Sequence, residues 1–86
     1  MELRGGCVET RDLLVKDGLY GNGIGGKFLK YIELFGKNNN CTKSLIKTCS
    51  VWEKSVNFYK KNDYKIDAVL PNYYYDRDWY YMSKKL

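Results

Sequence analysis

The stretch Leu13–Gly26, LLVKDGLYGNGIGG, holds the residues best spaced for chemistry. A short apolar run, Leu13-Leu14-Val15, leads into a glycine-dense turn, and the residues after it carry helical spacing. Strand, glycine turn and helix start form an arrangement that binds phosphate: backbone N–H groups converge on one spot, and the helix N-terminus adds partial positive charge there. Gly21, Gly23 and Gly26 satisfy G-x-G-x-x-G, so a dinucleotide is one candidate ligand. That site also needs an acidic residue at the end of the next strand. The strand expected there ends at Cys49-Ser50 with no carboxylate, which weakens the dinucleotide reading. No G-K-[ST] follows four spacer residues, so a P-loop is excluded.

Several elements must position this turn. Residues 1–6, MELRGG, read as a frayed or linking segment. Cys7 to Val15 reads as a strand, with Val8, Thr10, Asp12 and Leu14 on one face and Glu9, Arg11, Leu13 and Val15 on the other. Gly23 to Gly36 reads as a helix. Ile24, Phe28, Tyr31, Ile32 and Phe35 form its apolar stripe, Lys27, Lys30 and Glu33 lie away from it, and Gly36 is its stop. A second strand spans Lys43 to Cys49. Ser50-Val51-Trp52-Glu53 matches a capping box, followed by a helix to about Asn62. Tyr64, Ile66, Ala68 and Leu70 alternate in a third strand, Pro71 to Asp78 is a tyrosine-rich loop, and Trp79 to Ser83 is a fourth strand. The expected fold class is α/β (α+β), a mixed β-α-β-α-β-β sheet. Its first two strands are parallel across a right-handed crossover, and its last two form an antiparallel pair.

Eighty-six residues, 44% hydrophobic and 16% aromatic, suffice for one small packed domain and argue against disorder. The net charge of +5 favours anionic partners, among them phosphorylated cofactors and nucleic acid. Charges interrupt the N-terminal segment, so no signal peptide is expected, and no run is long enough to span a membrane. Cys7, Cys41 and Cys49 lack C-x-x-C spacing and histidine is absent, so no metal site is expected. Unpaired cysteines fit a reducing, cytoplasmic compartment.

Two segments together resemble the GNAT superfamily of acyl-CoA N-acyltransferases. The first is the window Tyr20-Gly21-Asn22-Gly23-Ile24-Gly25, which resembles the family's Q/R-x-x-G-x-G/A motif between a strand and a helix. The second is Trp52 to Tyr64, which resembles N-x-x-A-x-x-F-Y-x-x-x-G-F. Phe58-Tyr59 match, Ser55 takes the small position and Tyr64 the last aromatic one. The closing WYYMSKKL is similar to the family's final strand, so the resemblance covers roughly residues 7–86. Tyr20, Trp52 and Asp63 depart from the family's usual Gln or Arg, Asn and Gly. The resemblance is to the C-terminal, acetyl-CoA-binding half, and the chain is expected to form one domain, 1–86, without the family's N-terminal half.

The resemblance implies an acetyl-CoA-dependent N-acetyltransferase acting on an amine. Gly21, Asn22, Gly23, Ile24, Gly25 and Gly26, with Tyr20, would hold the CoA pyrophosphate. Leu13, Leu14 and Val15 would align the pantetheine arm through their backbone, with the Leu13 N–H polarising the thioester carbonyl. Tyr59 would protonate the departing thiolate, Glu9 would be the general base, and Trp52 would lie against the arm. One alternative is a CoA-binding module without turnover. Another is a small basic nucleic-acid-binding protein stacking bases on Tyr73-Tyr74-Tyr75, which the absence of an RNP-like strand disfavours. An uncovered first strand would invite a homo-oligomer.

Overall fold

The computed structural model describes residues 2–11 and 24–86. Their elements run β1 (Glu2–Arg4), β2 (Cys7–Arg11), α1 (Ile24–Asn38), β3 (Lys43–Cys49), α2 (Glu53–Lys61), β4 (Lys65–Leu70), a 3-10 turn (Tyr74–Asp76) and β5 (Trp79–Lys85). The five strands form one mixed sheet in the order β1-β2-β3-β5-β4. β2 and β3 are parallel, and β4 and β5 antiparallel, as the sequence pattern predicts. The part of the first expected strand beyond Arg11 lies outside the described residues.

Residues 1–6 are not merely a linker. Glu2–Arg4 pairs antiparallel with β2 through a hairpin turned by Gly5 and Gly6, both at positive φ. Glycine takes that conformation without a Cβ clash. β1 therefore covers the flank of β2 that the sequence reading leaves as an open edge. The sheet edge passes to β1, only three residues long and exposed throughout.

Both helices lie on one face of the sheet. Leu29 of α1 and Tyr59 of α2 share a core with Ile46, Tyr64 and Met82, and Val8, Ile32 and Cys41 form a second cluster. α1 is rotated about one residue from its expected seating. Gly25, Leu29, Ile32 and Gly36 face inward, whereas Phe28, Tyr31 and Leu34 are 47%, 61% and 58% exposed. The two glycines explain the rotation, because they let the helix approach more closely than a stripe of aromatic rings would. A Cβ on Gly36 would stand 2.7 Å from Val8 Cγ1, and one on Gly25 3.1 Å from Phe58 Cζ. Glu33, expected outside, instead turns inward. Lys84 Nζ donates to its Oε1 at 3.0 Å, and the Tyr64 hydroxyl donates to its Oε2 at 3.1 Å while lying 2.8 Å from Ser44 Oγ.

Three local expectations change for geometric reasons. Gly36 does not stop α1, which runs on to Asn38. The left-handed residue after the helix is Asn40 (φ 61°), and Cys41 N–H closes the end on the Gly36 carbonyl at 2.8 Å. The Ser50 capping box does not form: α2 starts at Glu53 behind Trp52, with no side-chain cap, and Ser50 N–H bonds Asp78 O instead. The alternation of β4 breaks at a register shift between Ile66 and Ala68, where Asp67 accepts from the Ser83 hydroxyl.

Asp63, where the resembled family carries glycine, ends α2 at φ 71°, with Tyr64 N–H bonding Tyr59 O at 3.0 Å. A left-handed non-glycine residue costs roughly 1 kcal/mol. Asp63→Gly is therefore expected to stabilise the fold by about that amount, read as a higher urea midpoint at unchanged m. Gly36→Ala should do the reverse. Overpacking against Val8 (about 1–3 kcal/mol) outweighs the roughly 1 kcal/mol gain in helix propensity. A stabilised Gly36→Ala variant would disprove the close seating of α1.

Candidate active site

Because both described helices pack on one face, the side chains of β2, β3 and β5 that point the other way line the site. Val8 and Thr10 of β2 point to the helices, and Ser44, Ile46 and Thr48 of β3 do likewise, all buried. Glu9, Lys47 and Tyr81 point the opposite way. There a cavity of about 410 Å³ is lined by the side chains of Glu9 and Lys47 on the central strands, Glu2 and Arg4 of β1, and Tyr74 and Trp79, and it reaches β2 at Thr10, whose side chain turns to the helices. The aromatic wall is built locally. Trp79 Nε1 donates to Tyr74 O at 3.0 Å, and its ring meets those of Tyr74 and Trp52 edge-on, each at 5.3 Å between centroids. Lys47 Nζ sits 3.4 Å from the Tyr74 hydroxyl and 4.9 Å from the ring centre, a cation–π placement.

Glu9 is the carboxylate on the central part of this face. Tyr81 Oη, contributed by β5 from the other side of β3, donates to its Oε1 at 2.5 Å. That bond, then burial, then the charge on Glu9, push the Tyr81 phenol up to about 12. Tyr81, a protonated donor at neutral pH like any phenol, therefore stays one further into the alkaline range.

The residues proposed for the cofactor divide three ways. Leu13, Leu14, Val15, Tyr20, Gly21, Asn22 and Gly23 lie outside the described residues. Ile24, Gly25 and Gly26 form the first turn of α1, which contains no acidic residue to neutralise its positive end. Gly25 is already required by its contact with Phe58, whereas a Cβ on Gly26 would meet nothing within 4 Å. Tyr59 is fully buried among Leu29, Ile46, Tyr64 and Met82, its ring edge-on to Phe58 and Tyr64. Trp52 caps the start of α2 and packs on Trp79. Tyr59 and Glu9 consequently belong to opposite faces of the sheet.

Thr10 Oγ1 and Thr48 Oγ1 are buried without a hydrogen-bond partner among the described residues. They sit on adjacent strands near the end where β2 leads toward the glycine turn. Leaving a buried hydroxyl unpaired costs about 1–3 kcal/mol, so both are suited to accept or donate to an amide-bearing ligand. A helix start whose first turn carries no acidic residue, like that of α1, suits a phosphate. These residues fit a pantetheine-phosphate cofactor. Sequence reasoning missed Thr10 and Thr48 as well as Tyr81 and Lys47. Their residue types are common in strands, and only the sheet register brings them together.

The Tyr81 phenol yields a pH prediction. Its folded value lies above its ordinary 10.0, so the unfolded chain releases that proton first as pH rises. The bond's contribution is complete below about pH 10 and is lost as pH climbs toward 12. Tyr64, raised mainly by burial, acts in the same direction. Urea midpoints measured across that alkaline range should fall, and fall less steeply in Tyr81→Phe. An unchanged slope would remove the Glu9–Tyr81 bond from the account.

The chain matches no family model and no curated protein. Among solved structures, it is similar to Ard1 from Thermoplasma volcanium, with 27% identity over 92% of this chain and a TM-score of 0.77. It is also similar to Arabidopsis thaliana Naa50 in complex with the bisubstrate analogue CoA-Ac-MVNAL, with 30% identity over 93% of this chain and the same TM-score. The chain spans 55% of the length of each of these proteins. The five-stranded mixed sheet, the two helices on one face and this likeness to Ard1 and Naa50, both GNAT N-acetyltransferases, give one conclusion: the chain has the GNAT N-acetyltransferase-like fold.

Proposed function

We propose that the chain acts in acetyl transfer from acetyl-CoA to an amine. The observation that carries this reading is the placement of Glu9, a carboxylate that lines an open cavity on β2, the strand leading to the glycine turn. The unpaired hydroxyls of Thr10 and Thr48 and the acid-free start of α1 support a site for the cofactor nearby. The Naa50 complex, with its CoA-Ac-MVNAL analogue, supports a peptide amine as the first acceptor to try.

Acetyl-CoA, when bound, supplies a thioester acyl group open to attack by an amine. Glu9 takes the proton that the attacking nitrogen must lose, directly or through a water. By the family resemblance, the Leu13 N–H would stabilise negative charge on the carbonyl oxygen, and the Tyr59 phenol, once reached by the arm, would return a proton to the leaving sulfur. By the same resemblance, backbone N–H groups of Gly21 to Gly26 would hold the pyrophosphate, Leu14 and Val15 would align the arm, and Tyr20, Asn22 and Trp52 would flank it. Tyr74 and Trp79 form the aromatic wall on the acceptor side, and because Arg4 pairs with Glu2 at 3.3 Å, Glu9 is the carboxylate of the cavity left to meet an amine.

Calorimetry with acetyl-CoA, followed by thiol release in the presence of peptide and small-molecule amines, tests this directly. Glu9→Gln should lower turnover on the order of 100-fold with acetyl-CoA binding unchanged, and Tyr59→Phe should lower it about 10-fold or more. Tight binding with no transfer to any amine would leave a CoA-binding module and sink the enzymatic reading. No binding would sink both.

A further inference from the structure

We infer that Tyr81 is a positioning residue for Glu9: it anchors one carboxylate oxygen and so presents the other to the acceptor amine. The inference rests on the acetyl-transfer reading above, in which Glu9 receives the amine proton. Its geometric basis is independent of that reading.

Glu9 lies on β2 and Tyr81 on β5, with β3 between them in the sheet. In the register Glu9 pairs with Leu45, and Tyr81 with Lys47. The phenol therefore reaches diagonally across β3 to donate to Glu9 Oε1 at 2.5 Å. A glutamate on a strand has three side-chain torsions to fix, and a carboxylate without an anchor samples many of their combinations. A charge-assisted O–H···O⁻ bond selects among them. Since Tyr81 donates to Oε1, Oε2 is the oxygen left for the cavity that Glu9 lines.

Tyr81 is itself anchored. It pairs with Lys47 on one flank and with Ala68 on the other, beside the β4 irregularity. The small Ala68 leaves the phenol free to lean toward β2. Tyr81 is no competing base: a phenol is already protonated at neutral pH, and the bond to Glu9 only extends that into the alkaline range. Loss of the hydroxyl removes the anchor while leaving the ring, the sheet and the cavity wall in place. Misplacing a base is a known source of rate loss even where nothing touching the substrate has changed.

The test is a double-mutant cycle on the full chain with Glu9→Gln, Tyr81→Phe and the pair, read three ways. In steady-state kinetics with a peptide amine, Tyr81→Phe should lower kcat about 10-fold, with the KM for acetyl-CoA unchanged. The double variant should be no slower than Glu9→Gln alone, since Tyr81 acts through Glu9. In an alkaline tyrosine titration followed by ultraviolet absorbance, Glu9→Gln should abolish the same late-titrating phenol that Tyr81→Phe deletes. Far-ultraviolet circular dichroism and urea unfolding identify a variant that fails to fold. In that case Tyr81→Trp or Tyr81→His, tested for partial recovery relative to Tyr81→Leu, replaces it.

If Glu9→Gln is slow and Tyr81→Phe is not, or if the two effects multiply, the positioning role is overturned while the acetyl-transfer reading stands. If Glu9→Gln turns over normally, Glu9 is not the base and both its assignment and this inference fall. If the unmodified chain binds acetyl-CoA but acetylates no amine, the enzymatic reading fails and takes this inference with it.

Discussion

The close seating of α1 on the sheet is the constraint on which the rest of the structure depends. Parallel neighbours such as β2 and β3 cannot be joined by a tight turn, so a crossover element must run back along the sheet. Here that element is α1. Gly36 lets it approach Val8 at a distance that no other residue allows, and Leu29 and Ile32 fill the space on either side. The contact is locked by a polar clasp: Glu33 reaches Lys84 on β5 and the Tyr64 hydroxyl at the foot of β4, and Tyr64 in turn reaches Ser44 on β3. Buried carboxylates are tolerated when they are paired in this way. One helix thereby ties together three strands that are distant in the sequence.

Seating both helices on one face separates the duties of the two faces. The helix side holds the core, with Tyr59, Ile46 and Met82 all fully buried. The opposite side carries the polar and aromatic residues, namely Glu9, Lys47, Tyr74, Trp79 and Tyr81. The sheet stands between the two groups proposed to move protons, Tyr59 and Glu9. The exposed aromatic face of α1, Phe28 and Tyr31, is a by-product of the same seating: the glycine stripe wins the inward position because it permits closer packing.

How much was legible in the sequence depended on the range of the interaction. The parallel pair β2–β3, both helices and the final hairpin followed from periodicity and turn residues. So did the resemblance carried by Gly23-Ile24-Gly25 and Phe58-Tyr59. The errors came where a local pattern had two solutions. Ser50-x-x-Glu53 reads as a capping box, but Ser50 N–H is taken by Asp78 from the far end of the chain. Gly36 reads as a helix stop, but it serves close packing, and Asn40 supplies the left-handed turn. Glu2–Arg4 is too short and too polar to announce itself as a strand, and only its pairing with β2 makes it one.

From β2 onward, the sequence by itself determined the order of the main elements and their type. Those properties rest on side-chain spacing and backbone preference within a dozen or so residues. The tertiary structure alone decided which face of each element is inside, and therefore which polar groups meet. Glu9 and Tyr81 are 72 positions apart and share a hydrogen bond only because β5 lies beside β3 and β3 beside β2. Thr10 and Thr48 face the helices together for the same reason. Strand register is a non-local quantity, fixed by packing across the whole sheet, and a one-residue slip would have sent each of these groups to the other face.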